Sequence, residues 1–278
     1  MRSIHFVLKS ILLFLVSFFK KKEKLILDES INILANGPSL SIDLDKIKDD
    51  LSNILVVNQF VKHKKFTKLK PKYYLIQDSY FWDKSVKKHW EVKRKNTIEG
   101  LNKLVTWNMR LIIPYRGKEI ERFISNKRIK IVYYYEMELP SKIKRSLKNY
   151  NFIVKYLLMK NIYSPPRSNV LTTSVYICLI SNVRFINIYG ADMSFFKELE
   201  VNQSTNEVGI VEKHFYGDEF FPLYSSKKSN TPSSISDQLF KWTRVFKDLE
   251  KIIKMGYDKG VEIKNLSSKS YIDFINRV

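Results

Sequence analysis

Apolar positions in this chain come in short runs that stop at polar residues. Residues 31–35 (INILA), 53–58 (NILVVN) and 73–77 (YYLIQ) each read as a buried strand rich in β-branched or aromatic side chains. Each closes on a polar corner: Asn36-Gly37-Pro38-Ser39, Asn58-Gln59 and Gln77-Asp78-Ser79. Gly37 tolerates a positive φ, and Pro38 removes a donor from the ladder, so the first strand must end there. Runs of this kind, separated by connecting segments, predict a parallel sheet whose functional edge lies on one side. Short strands are expected at 104–107, 111–114 and 130–135, a core strand at 185–189, and a last strand at 260–265.

Helical periodicity marks the remainder. Residues 41–50 read as a short helix and 81–95 as an aromatic, basic amphipathic helix. Residues 141–160 form a basic helical region. The cleanest helix is 236–256, capped by Ser236 and ended by Gly256, with Leu239, Trp242, Val245, Phe246, Leu249, Ile252 and Ile253 as one core stripe. Thr172, Thr173 and Ser174 precede an apolar run at 175–180, the pattern of a helix N-terminus, where unpaired N–H groups can meet a phosphate. Residues 202–212 are polar and read as a mobile loop, followed by KHFYGD at 213–218.

The first residues stand apart. Residues 4–19 are apolar but interrupted by His5 and Lys9, short of the roughly 20 residues that span a bilayer. The cluster KKKEK follows at 20–24. This combination fits a helix lying in the inner-leaflet interface; a packed N-terminal helix is the competing reading. The expected organisation is a membrane-associating segment at 1–25 and a single domain at 26–278, with a lid within 195–235. The formal net charge of +21 calls for an acidic partner. No RNA-binding signature or zinc-finger spacing accompanies it, so a membrane surface and an anionic substrate rank ahead of nucleic acid. The single cysteine, Cys178, excludes intramolecular disulfides and cysteine-rich metal sites, and fits a reducing cytoplasm.

The strand-end residues are polar, mostly uncharged and hydroxyl-rich: Asn36, Gly37, Pro38, Ser39, Asn58, Gln77, Asp78, Ser79, Thr172, Thr173, Ser174, Gly190 and Asp192. That chemistry suits the ribose, base edge and phosphate of a nucleotide sugar. No GxxxxGK[ST] or GxGxxG is present. NGPSL after an apolar strand, VNQF about twenty residues on, LTTSVYI, IYGAD and HFYG, in that order, resemble the bacterial sialyltransferases of glycosyltransferase family 42. The resemblance spans residues 31–216. It implies a Rossmann-like α/β fold, a variant of the GT-A type, with a mostly parallel sheet, flanking helices and a small lid. The implied reaction is metal-independent and inverting transfer from a CMP-activated sugar, with no cofactor. Asn36, Gly37 and Ser39 would bind CMP, Asn58 would sit beside the phosphate or ribose, and Gln77 and Ser79 would match family polar positions. Thr172, Thr173 and Ser174 would contact the donor, and His214 would be the general base.

The chain departs from that family twice. Val170 stands where the family has an arginine, with Arg167 nearby. Ser194 stands where it has a tyrosine that assists the leaving phosphate, with Tyr216 or Tyr224 as substitutes. These departures leave the donor sugar open: the resemblance implies a CMP-activated sialic acid, the alternative is CMP-Kdo or another nucleotide sugar, and Asp78, absent from the family pattern, points toward a different donor. The implied acceptor is a cell-surface or lipid-linked glycan made at the inner membrane, with lipopolysaccharide or capsule as the product; homo-oligomer formation is left open. Two competing classes are a pterin pyrophosphokinase-like enzyme using magnesium at Asp78 and Asp192, and a non-enzymatic basic protein binding nucleic acid or lipid.

Overall fold

A computed structural model describes residues 27–46, 51–134, 164, 169–214, 217–225 and 231–277, with backbone alone at 211–214 and 217–219. The expected helices within 4–19 and 141–160, together with Tyr216 and Arg167, lie outside the described residues.

Seven strands form one parallel sheet: β1 (Ser30–Leu34), β2 (Ile54–Val57), β3 (Tyr73–Leu75), β4 (Met109–Pro114), β5 (Ile129–Tyr134), β6 (Phe185–Tyr189) and β10 (Glu262–Asn265). Their order is β10-β6-β1-β2-β3-β4-β5. From β1 the chain works outward to β5, then returns to the other side of β1 at β6. The order therefore reverses between β1 and β6, which is where an open α/β sheet places its ligand crevice, at the strands' carboxyl ends. The apolar runs predict the parallel sheet, and the Rossmann-like α/β architecture is the one the resemblance implies.

Strand side chains alternate between two cores, as period-2 geometry requires. Ile33, Leu55, Leu75, Ile112 and Ile188 face one core; Leu34, Val56, Tyr74, Leu111 and Tyr189 face the other. The second core is covered by α1 (Leu40–Lys46) and α2 (Lys88–Leu104). The first is covered by α3 (Val170–Ile180) and α4 (Ile235–Tyr257). α3 is buried nearly all round, which explains its uninterrupted apolar composition.

Several boundaries differ from the sequence reading. Residues 104–107 are not a strand: Leu104 ends α2, which begins at Lys88, while Ser79–Phe81 form a separate 3-10 turn. α4 is capped by Ser234, not Ser236. The Ser234 hydroxyl accepts from the Asp237 amide at 3.0 Å, and Asp237 reaches back to the Ser234 amide, a full capping box. Gly256 lies inside the last turn of α4. A Cβ there would stand 2.6 Å from Ile263 Cδ1, so its bareness lets β10 pack against the helix. Leu239 points away from the core and is 51% exposed. The polar stretch at 202–212 is partly strand. β7 (Leu199–Val201), β8 (Val208–His214) and β9 (Gly217–Pro222) make a small antiparallel sheet within the segment expected to form a lid.

Leu249→Ala, at a fully buried position, is expected to cost about 2–5 kcal/mol by urea unfolding. Leu239→Ala is expected to stay within about 0.5 kcal/mol. Equal effects would mean α4 is rotated from this description.

Candidate active site

The first feature of the carboxyl edge is a junction between the loops after β1 and β6. Pairing continues past both strands: Ala35 N–H donates to Tyr189 O at 2.9 Å, and Gly37 N–H to Gly190 O at 2.8 Å. Ser39 then donates twice to Asp192, from its hydroxyl at 2.7 Å and its amide at 3.1 Å. Asp43, one turn into α1, accepts from Gly190 N–H and Ser268 N–H, both at 2.8 Å. Ser39, Asp43 and Asp192 are all buried. A buried carboxylate is tolerated because each has convergent donors. The loop after β10 completes the junction: Ser267 accepts from Ala191 N–H at 2.9 Å and Ser270 donates to Ala191 O at 2.7 Å.

Two glycines are required by this geometry. A Cβ on Gly37 would stand 2.1 Å from Asp192 Oδ2 and 2.4 Å from Gly190 O. Gly190 has φ +62° and would press a Cβ to 2.6 Å from Leu40 Cβ. Gly37, Ser39, Gly190 and Asp192 were expected to face substrate; the structure assigns them to holding the loops together, with Ser39 and Asp192 turned inward. Asp43 was missed by the sequence reading. Its signal was a carboxylate four residues after Ser39, on the same face of a short helix whose neighbours Leu40 and Leu44 are buried.

Beside this junction runs a polar row over β1, β2 and β3. Asn36 is exposed and its Nδ2 donates to Val57 O at 3.0 Å, so it bridges to the end of β2. Pro38 is exposed next to it. Asn58 has φ +47°, in the left-handed region that asparagine tolerates. Its Oδ1 accepts from Gln77 N–H and its Nδ2 donates to Asp78 Oδ2, both at 3.1 Å. Gln77 is buried, and its Oε1 has no partner among the described residues. Asp78 and Ser79 are half-buried at the lip. Beneath them Gln59 donates to Tyr80 OH at 2.9 Å. Burial, with the nearby charge of Asp78, pushes the Tyr80 phenol well above its ordinary pKa, so it stays protonated. Asn36, Asn58, Gln77, Asp78 and Ser79 are thus brought together across three adjacent strand ends.

The N-terminus of α3 joins the same edge, but two residues earlier than its hydroxyls suggest. Asn169 is the cap: its Oδ1 accepts from Leu171 N–H at 2.7 Å, and its Nδ2 reaches Met193 Sδ at 3.4 Å, beside the loop after β6. Thr172, Thr173 and Ser174 lie inside the helix and are buried. Ser174 Oγ donates back to Val170 O at 2.9 Å, and the Thr173 amide donates to Asn169 O. As the side chains stand, Thr172 and Ser174 present no surface to a substrate. Thr172 Oγ1, like Gln77 Oε1, has no partner among the described residues. The cap was legible as an asparagine directly before Val170 and Leu171, a signal outweighed by the three hydroxyls that follow.

The small sheet is tied down at both ends. At its start Phe195 stacks on Trp242 of α4, with ring centres 4.7 Å apart, and Phe196 packs edge-on against Tyr271. Past its last strand, Lys87 Nζ sits 3.6 Å over the ring of Tyr224. Lys87 is the residue before α2 and Trp242 lies in α4, so the segment is tied to the helices on both faces of the large sheet. His214 lies at the end of β8, its backbone paired with Gly217; it stands in a strand and not in the loop expected for it. His63 and His89 have local roles. His63 Nδ1 accepts from Lys65 N–H at 3.2 Å and its ring stacks on Phe60. His89 packs against Trp90. Burial, then neighbouring lysines, holds both imidazoles below the ordinary histidine pKa. Among the described residues, no group of three or more His, Cys, Asp or Glu is placed to hold a metal ion.

No protein-family model matches the sequence, and none of the curated proteins matches it. Among solved structures, the chain is similar to the MAf glycosyltransferase from Magnetospirillum magneticum AMB-1, with 14% identity and a TM-score of 0.51. That likeness covers 92% of this chain and 34% of the other, so the chain spans about a third of that protein's length. It is a likeness of fold: the sheet and helices described here have a counterpart in a glycosyltransferase.

Asp43→Asn is expected to destabilise the fold by about 1–3 kcal/mol, because one of its two backbone donors, Gly190 or Ser268, then faces an amide NH2. Gly37→Ala is expected to cost more, since its Cβ cannot avoid Asp192. Denaturant unfolding checks both, and wild-type stability in either variant would contradict the junction.

Proposed function

We propose that this chain is a glycosyltransferase whose nucleotide-activated donor lies along the polar row of Asn36, Asn58, Gln77, Asp78 and Ser79. The observation that carries the reading is the convergence of these residues. NGPS and NQF are about twenty positions apart, yet Asn36 bonds to the end of β2 and Asn58 to the end of β3. Neutral amides and hydroxyls at a sheet's carboxyl edge suit a ribose and a base, and the unpartnered Gln77 Oε1 is an acceptor for a base amino group or a sugar hydroxyl.

The donor proposed is a CMP-activated acidic sugar, a sialic acid or a relative such as Kdo. The order of motifs favours CMP; Val170 and Ser194, in place of an arginine and a tyrosine, leave the sugar open within that class. The reaction is a direct inverting displacement. The acceptor oxygen attacks the anomeric carbon as the bond to CMP breaks, and the acceptor's proton passes to His214. The segment that carries His214 runs from Phe195, stacked on Trp242 of α4, to Tyr224, against Lys87 at the start of α2. The acceptor proposed is a glycan or lipid-linked glycan at the cytoplasmic face of the inner membrane, with residues 1–25 as the tether. Among the described residues, no helix is long and apolar enough to cross a membrane. A magnesium-dependent pyrophosphokinase is less well supported. Of the two carboxylates it would use, Asp192 is buried and engaged with Ser39, which leaves one candidate, Asp78.

Thermal unfolding with CMP, CDP, UDP, GDP and ATP tests the donor class. CMP at a hundred times its Kd should stabilise by about 2.7 kcal/mol, with or without EDTA. Selective stabilisation by ATP with magnesium would overturn the proposal. His214→Ala should abolish sugar transfer, read by product mass, while CMP still raises Tm. Full turnover in that variant would remove His214 from the mechanism.

A further inference from the structure

The geometry points to the exposed face of α4 as a docking surface for an anionic lipid bilayer, distinct from the N-terminal segment. Phe240, Arg244, Lys247, Lys251 and Lys254 recur at intervals of four and three, which puts them in one stripe along the helix. All five are exposed, and the opposite stripe of Val245, Leu249, Ile252 and Gly256 is buried in the core. Phe240 is 66% exposed, the most exposed large apolar side chain among the described residues. Leu239 stands beside it and is also exposed, while Trp242 turns to the core and stacks with the exposed Phe195.

An apolar tip followed by a run of cations is the chemistry of a helix lying on a membrane. Phenylalanine and leucine insert among the acyl chains, while lysine and arginine stems reach up to the phosphates. A protein partner fits this face less well. Interfaces are depleted of charge at their centre, and here the centre is basic with apolar residues at one end only. A second copy would set one basic stripe against another. The acidic residues around the stripe are Asp237, exposed one turn before Phe240, and Glu250 and Asp248 at its two margins, so the four cations outnumber them. The chain's net charge of +21 has the sign that anionic lipid attracts.

Leu27 packs in the same core cluster as Val245 and Leu249, on the face of the sheet that α4 covers. Phe240 lies near the N-terminal end of α4, where Phe195 leads from β6 into the small sheet. Docking there sets the carboxyl edge close to the lipid headgroups. The surface does not depend on the transferase reading.

The test uses the full chain with Phe240→Cys carrying an environment-sensitive fluorophore. Cys178 is fully buried, so labelling is confined to position 240. Vesicles of phosphatidylcholine with phosphatidylglycerol should shift the emission to the blue, and vesicles of phosphatidylcholine alone should not. Adding Arg244→Glu and Lys247→Glu should raise the lipid needed for half the shift at least about tenfold. A label at Asn96→Cys, on α2 across the sheet, should stay unchanged. No shift at position 240 while the protein floats with vesicles would mean that residues 1–25 bind alone, and would overturn the proposal. A shift without vesicles that grows with protein concentration would assign the face to self-association and overturn it equally.

Discussion

The structure depends on two buried carboxylates that tie three loops into one corner. Asp192 holds Ser39, and Asp43 holds Gly190 and Ser268, at the place where the strand order reverses. Three parallel strands end there with backbone groups that no further ladder can satisfy. Burying a carboxylate is costly unless its lone pairs are used, and here the donors are those unpaired amides and one hydroxyl. The corner is thus rigid for the same reason that it is polar, and a single methyl group at Gly37 has no room in it.

That rigidity determines where a ligand can go. In an open α/β sheet the crevice falls at the switch point. Here the space between β1 and β6 is occupied by the loops' own hydrogen bonds. The polar groups that face outward are displaced to the β1–β2–β3 side: Asn36 at the end of β1, Asn58 in its left-handed turn, and Asp78 and Ser79 at the lip. A corner that cannot yield is a fixed support for groups that must meet a donor in one geometry. The small antiparallel sheet is tied to Trp242 of α4 before its first strand and to Lys87, at the start of α2, past its last.

Much of this was legible in the chain. The strands at 185–189 and 130–135 match within a residue, because short runs of β-branched and aromatic side chains carry no helical period. The ends of helices were less legible. Ser236 looked like a cap, yet Ser234 serves, because Asp237 three residues later completes its box. Thr172–Ser174 looked like a helix start but lie within one, since a hydroxyl can bond back to the turn before it and be buried. The polar run at 202–212 gave no sign of a hairpin, as antiparallel pairing outside a core needs little apolar content. At the site, the convergence of Asn36, Asn58 and Gln77 was legible from their places at strand ends. The inward turn of Ser39 and Asp192 was not, because nothing local tells a carboxylate that binds a substrate from one that binds its own chain.

The central claim is that the row over β1, β2 and β3 is where the donor binds. Amide hydrogen exchange with and without a CMP-activated acidic sugar measures this most directly. Slowed exchange confined to peptides covering residues 35–40, 58–62 and 76–82 is the predicted result. Ligand-dependent protection elsewhere, with those three segments unchanged, would contradict it.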